Sequence, residues 1–142
     1  MRTDDAASRL FVYGTLMMPT VLHAVCGRSL PTRAAGLADF GRYRLRHRVY
    51  PAIVAEPGAL TEGLLVEGLD AALWQCLDAW ESALYSRQAV AVQTRERATL
   101  AAQTYVLAAR HHHELDTARW SPEEFEHLHL RAYVARWALA RR

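Results

Sequence analysis

The chain has no lysine; all 17 of its Lys and Arg positions are Arg. Arg suits phosphate and carboxylate recognition better than Lys, but an exclusion spread over the whole length, beside abundant Ala, reads as the codon bias of a GC-rich genome. Excess charge is also scarce. A formal net charge of +2 is too small to argue for a polyanionic partner. Only two cysteines are present, Cys26 and Cys76, each in an apolar stretch that reads as helical, so a disulfide framework is excluded. No apolar run approaches the ~20 residues needed to cross a bilayer. The opening segment, Met1 to Arg9, is polar and carries Asp4 and Asp5, which does not fit a secretory signal. These absences set the expectation of a cytoplasmic protein with no membrane partner. What is present is ordinary: 142 residues, 51% hydrophobic and 23% charged, enough for a single domain over residues 1–142 with one sizeable core.

Leu10 to Leu16 is a short apolar, β-prone run broken by Gly14, as expected of a buried strand ending in a tight turn. Pro19 marks a helix start and Gly27 its stop, with Val21, Leu22 and Val25 between them at helical spacing. Ala34 to Arg48 alternates, with Tyr43, Leu45 and His47 on one face and Arg42, Arg44, Arg46 and Arg48 on the other. This pattern predicts a half-buried strand with a wet Arg face. Tyr50-Pro51 breaks it, Ala52 to Glu56 and Glu62 to Glu67 read as separate strands, and Pro57-Gly58 as the turn between them. Asp70 caps a helix with Leu73, Leu77 and Trp80 as its apolar stripe. Arg87 to Arg95 and Thr99 to Ala108 are two further alternating stretches, followed by a polar segment from His111 to Arg119. Ser121-Pro122-Glu123-Glu124 opens a last amphipathic helix, with Phe125, Leu128, Tyr133 and Trp137 near one side. The whole predicts one mixed α and β unit without repeats or linkers.

Three places carry possible chemistry. Glu81 lies four residues after Leu77, near the apolar stripe and in the last turn of its helix. Partial burial and the negative end of the helix dipole would both raise its pKa, giving a proton carrier. Pattern alone favours the plainer reading, a carboxylate pointing outward past a frayed helix end. Tyr13-Gly14-Thr15-Leu16 can expose consecutive backbone N–H groups suited to a carboxylate or a developing oxyanion; a lone glycine after a strand is more often only a turn. Tyr85 and Arg87, two apart on a strand, share a face and either orient a polar ligand or are ordinary surface residues.

Taken in order, Phe11-Val12-Tyr13-Gly14-Thr15-Leu16, Tyr50-Pro51-Ala52-Ile53-Val54, Glu62-Gly63-Leu64-Leu65, and Leu77-Asp78-Ala79-Trp80-Glu81 with Tyr85-Ser86-Arg87 resemble the gamma-glutamylcyclotransferase-like superfamily. The resemblance is nearest to its branch of avirulence-induced-type plant proteins and their bacterial relatives, which includes gamma-glutamylamine cyclotransferases. It spans Leu10 to Val106, with Ala102 to Val106 matching a late strand. It implies an α+β fold in which a small mixed β-barrel is flanked by helices. It also implies a cyclotransferase that closes a gamma-glutamyl group to 5-oxoproline and releases an amine or amino acid. Glu81 would be the general acid/base, and the amides of Gly14, Thr15 and Leu16 would hold the substrate's oxygens. Tyr13, Tyr50 and Tyr85 would line the pocket, and Arg87 would bind a carboxylate or, preferably, anchor its turn. No metal or organic cofactor is implied, and the partner is a small gamma-glutamyl substrate. One departure stands out: Ser82 occupies the place after the acidic residue where the family usually has Gly.

Other readings remain beside it. The same fold could serve as a non-catalytic small-molecule-binding or interaction module. An Arg ribbon could track nucleic-acid phosphates, but the near-neutral balance argues for a solvated face and no nucleic-acid partner. His111-His112-His113-Glu114 and the pair His127 and His129 lack first-shell metal spacing. Met17 and Met18 read as core or pocket wall. Oligomeric state and the leaving amine are open at this level.

Overall fold

A computed structural model describes residues 3–140, with side chains described for 6–136. Its strands are β1 (Arg9–Val12), β2 (Thr32–Leu45), β3 (Pro51–Glu67), β4 (Tyr85–Thr94), β5 (Thr99–Leu107) and β6 (Leu115–Arg119), and its helices α1 (Pro19–Cys26), α2 (Ala71–Glu81), α3 (Pro122–Leu128) and α4 (Leu130–Ala140). The sheet runs β3-β1-β5-β4-β2-β6, and β2 also pairs with β3, so five strands close into a barrel and β6 adds to the outside of β2. All pairings are antiparallel except β1 with β5. The barrel is therefore mixed, as the resemblance implied. None of the described helices is long and apolar enough to cross a membrane.

Strand alternation divides the core into two layers. Phe11 packs with Ile53 and Leu65 of β3, Val92 of β4 and Ala102 of β5, which fills the barrel. Leu10 and Val12 face the other way and pack with Val21 of α1, Trp74 and Leu77 of α2, and Phe125 of α3. The helix ends follow local chemistry. Pro19 sits in the first turn of α1 and Gly27 ends it at φ 76, a conformation costly for residues with a Cβ. The Asp70 carboxylate accepts from the Leu73 amide at 2.9 Å, and the Ser121 hydroxyl accepts from the Glu124 amide at 3.1 Å.

Several expectations are corrected. The strands expected at Ala52–Glu56 and Glu62–Glu67 are one strand, and Pro57-Gly58 is not a chain-reversing turn. Ala38 pairs with Leu60 and Phe40 with Ala55, so the residues between them bulge out opposite Asp39. Gly58 at φ 85 and Asp39 at φ 67 accommodate the bulge, and the Gly58 amide donates to Asp39 Oδ1 at 2.9 Å. Strand β2 stops at Leu45, not Arg48, because His47 adopts φ 63 and turns the chain. The polar segment contains β6, which pairs with β2 at Tyr43 and Leu45. The last helix is broken at His129. Leu128 is 64% exposed and does not share the packed side of Phe125 and Tyr133. The side chain of Trp137 lies outside the described residues. Cys26 and Cys76 are both free, Met18 is buried, and Met17 packs against the core.

Candidate functional site

Strand β1 is short because its chain turns sharply at Gly14. A Cβ there would lie 3.0 Å from the Pro51 ring, so glycine lets the turn press against the start of β3. The Gly14 carbonyl accepts from the Met17 amide at 2.9 Å and the Thr15 carbonyl from the Met18 amide at 3.0 Å. Carbonyl and following N–H point oppositely across a trans peptide, so the Thr15 and Leu16 amides point away from these bonds. Among the described residues, the amides of Gly14, Thr15 and Leu16 donate to no acceptor. Such a row of free donors can receive a carboxylate or a developing oxyanion.

Helix α2 brings Glu81 to the same place. Leu73, Trp74 and Leu77 fix its packed side, and Glu81 is its last residue. Beyond it Ser82 adopts φ 65, ψ −171 and its amide donates to the Asp78 carbonyl, which stops the helix. That backbone region belongs almost wholly to glycine and costs on the order of 1–3 kcal/mol for other residues. The serine departure in the sequence therefore falls where the chain needs glycine most. Ser82→Gly is expected to stabilise the protein by about 1 kcal/mol, read as a higher denaturant midpoint with an unchanged slope.

Glu81 and the Gly14–Leu16 turn line one cavity of about 180 Å³, together with Tyr13, Tyr50, Pro51, Trp80, Tyr85, Tyr105 and Tyr133. Glu81 is the one charged side chain among the described residues lining it. The residue as a whole is half-buried, yet removal of its carboxyl from water, reinforced by the charge of Asp78 one turn earlier, pushes its pKa up to about 8. Sequence reasoning assigned part of this rise to the helix dipole; burial and Asp78 are the causes found. The outward, frayed position is not adopted.

The phenols around it are donors already in use. Tyr13 Oη donates to the Tyr105 carbonyl at 2.5 Å, Tyr85 Oη to the Pro51 carbonyl at 2.6 Å, and Tyr105 Oη to Asp78 Oδ1 at 2.7 Å. Burial foremost, with the nearby charge of Glu81, pushes Tyr13 and Tyr85 well above the usual phenol range. They stay protonated at any working pH, which leaves Glu81 as the group that can exchange a proton there. Tyr50 reaches the cavity while its hydroxyl accepts from Arg48 Nη1 at 2.6 Å.

Arg87 lies outside the cavity lining. Its Nε is 3.5 Å from Asp78 Oδ1, and its guanidinium sits 4.4 Å over the Trp74 ring, so it braces α2. Sequence reasoning missed Tyr105 and Tyr133 as cavity residues, because barrel closure and the return of α4 bring them there from far along the chain. Asp78 was legible, being three residues before Glu81 on one helix face. Arg42 was misplaced. It does not join a wet Arg face: its Nη1 donates to the Tyr13 carbonyl at 2.9 Å and the Glu62 carbonyl at 3.0 Å. Arg44 pairs with Glu124, while Arg46 and Arg48 lie beyond the strand end. His111 pairs with Glu114 at 2.7 Å.

Comparison with known proteins bears on the family and the fold. The family described as gamma-glutamyl cyclotransferase, AIG2-like, matches residues 10–122. AIG2-like protein D of Arabidopsis thaliana is 32% identical over 127 residues, covering 88% of this chain and 83% of its own. A solution structure of another Arabidopsis thaliana protein superposes with a TM-score of 0.71 at 27% identity, covering 92% of this chain and 87% of that one. The solved structure of a gamma-glutamyl cyclotransferase shares the fold, with a TM-score of 0.65 at 19% identity over 88% of this chain and 83% of that one. By the span of the family match and the identity to its plant relative, the chain belongs to the gamma-glutamyl cyclotransferase, AIG2-like family.

Proposed function

We propose that the protein is a cyclotransferase that releases 5-oxoproline and an amine or amino acid from a small gamma-glutamyl substrate, with Glu81 as general acid/base. One observation carries this reading: a carboxyl group with a pKa of about 8 shares its cavity with a turn whose amides are uncommitted. The reaction needs little else. The substrate's α-nitrogen attacks its own γ-carbonyl carbon once the two are held ~3–3.5 Å apart, and the C–N bond to the departing amine breaks. Of the three ammonium protons, one stays on the lactam nitrogen and two end on the departing amine, with Glu81 relaying them in turn. Neither water nor an external nucleophile is consumed.

The amides of Gly14, Thr15 and Leu16 receive the glutamyl oxygens, including the one that gains negative charge as the ring closes. Tyr13, Tyr50 and Tyr85 shape the wall, and Tyr13 and Tyr85, whose burial keeps them protonated, present no competing base. With a pKa of about 8, about a tenth of the Glu81 population is ionised at pH 7, and its conjugate acid is well matched to returning a proton. The test is a panel of gamma-glutamyl amines and amino acids scored for 5-oxoproline by mass spectrometry. At least one is expected to be turned over by the wild type and none by Glu81→Gln. Binding without turnover in the wild type would favour a non-catalytic binding module of this fold.

A further inference from the structure

We infer that Arg42 is a positioning residue for the reaction: from outside the cavity it locks the Tyr13–Gly14 peptide so that the Gly14 N–H is aimed at the substrate. This rests on the cyclotransferase reading for its kinetic consequence, and on geometry alone for the amide's direction. Arg42 is absent from the cavity lining. Its single Nη1 bridges two backbone carbonyls, that of Tyr13 at 2.9 Å and that of Glu62 at 3.0 Å. The bridge ties the exit of β1 to β3, the strand beside it in the sheet.

The described peptides include no cis bond, and in a trans peptide the carbonyl and the next N–H point in opposite directions. A Tyr13 carbonyl held toward Arg42 therefore turns the Gly14 N–H away from Arg42, and Gly14 itself lines the cavity. Rotating that peptide would swing a carbonyl oxygen toward the place where the substrate's oxygen gains negative charge, replacing attraction with repulsion. Glycine at position 14 makes such a rotation sterically easy, so an external restraint has something to prevent. The cation also lies behind the carbonyl it holds and polarises the peptide, strengthening the N–H as a donor. The guanidinium is itself fixed, with the Trp120 ring 5.5 Å from its centre and Met17 Sδ 4.0 Å from Nη1. Glu62 and Glu123 supply the nearby negative charge, and Arg119 is the opposing cation.

The experiment uses the one Tyr-Gly pair in the sequence. Carbonyl-13C tyrosine with 15N glycine isolates the Gly14 amide as a single NMR signal, which is followed while 5-oxoproline is titrated into the full chain. In the wild type the signal is expected to move. In Arg42→Met the glycine amides remote from the bridge, those of Gly27, Gly58 and Gly68, keep their positions and the Gly14 signal loses its response. With turnover as a second readout, kcat falls on the order of tenfold to a hundredfold, somewhat less than deleting an oxyanion donor. The change in KM is smaller, and the rising limb of the pH profile stays where Glu81 puts it. Arg42→Lys, which keeps a cation on a shorter stem, recovers part of both losses.

A Gly14 signal that ignores 5-oxoproline in the wild type overturns the inference, as does an Arg42→Met protein with wild-type kcat and an intact Gly14 response. If Arg42→Met does not fold, Arg42→Lys decides: intermediate values of both readouts support the bridge, and a folded protein with a changed KM alone contradicts it. Wild-type protein that binds 5-oxoproline through Gly14 but turns over no gamma-glutamyl compound would sink the cyclotransferase reading while leaving the Arg42–Gly14 coupling in place.

Discussion

Replacing Glu81 with Gln is expected to abolish turnover and, above pH 8, to make the protein more stable. General acid/base catalysis contributes on the order of 10²–10⁴ in rate, and Glu81 is the one carboxyl group among the described residues lining the cavity. In the wild type, kcat/KM is expected to rise with pH through about 8, the pKa of Glu81, where an exposed glutamate would give a limb near 4.3. The stability effect has the opposite sense. The folded-state pKa lies above the unfolded value of ~4.3, so folding binds a proton that the unfolded chain releases. Wild-type stability is then free of penalty below ~4.3, declines as pH rises, and carries the full penalty above about 8. Gln cannot ionise, so the variant gains over the wild type through that window. The gain is about 1–3 kcal/mol at pH 9 once the cost of a buried amide is subtracted. Thermal melts of both proteins at pH 5 and pH 9 check it: the difference in Tm should be small at the lower pH and positive at the higher one.

Gly63→Ala is expected to cost at least several kcal/mol and to damage the site from a distance. Gly63 lies in β3 across from β1, where a Cβ would overlap the Val12 carbonyl oxygen and sit 2.9 Å from the Phe11 ring. The first obstacle is backbone and cannot rotate aside. The second is a side chain in the filled barrel, 1% exposed. Overpacking of this kind costs 1–3 kcal/mol when side chains can yield and more when the backbone must move. Any relief shifts β1 away from β3, and β1 carries the Tyr13–Leu16 turn at its end. A lowered denaturation midpoint accompanied by lost 5-oxoproline formation is expected. Wild-type stability would mean that the two strands are not pressed together as described.

The sequence was most informative where a residue acts on its own neighbourhood. Proline at the start of α1 and glycine past its end, or Asp70 and Ser121 at their caps, work through the next few backbone groups and so can be read locally. Pro57-Gly58 carries an equally local turn signal, but pairing of β2 with β3 on both sides of it outweighs the local preference and reduces the turn to a bulge. The alternation from Arg42 to Arg48 failed for two reasons. His47 ends the strand, and closure of the barrel places Arg42 behind the Tyr13 turn where one strand in isolation would put water. Strand β6 carries little apolar pattern because it joins the outer edge of β2 and has almost nothing to bury. The residues grouped at the site, Glu81 and Gly14–Leu16, came from an ordered set of motifs. Tyr105 and Tyr133 reach it only through long-range assembly that no short window of sequence records.

The unusual backbone at Ser82 and the burial of Glu81 meet at one point in the chain. A glycine-type conformation on a serine and a carboxyl withheld from water both destabilise the fold, and both lie at the end of α2, where the helix delivers its last side chain to the cavity. Such local costs collect where function requires a fixed geometry. The central claim is that this carboxyl is close to neutral at physiological pH. Its most direct test is a 13C NMR titration of the Glu81 carboxyl carbon in the full chain, using Glu81→Gln to identify the resonance. A midpoint near 8 is expected; a midpoint near 4.3, that of a solvated glutamate, would contradict it.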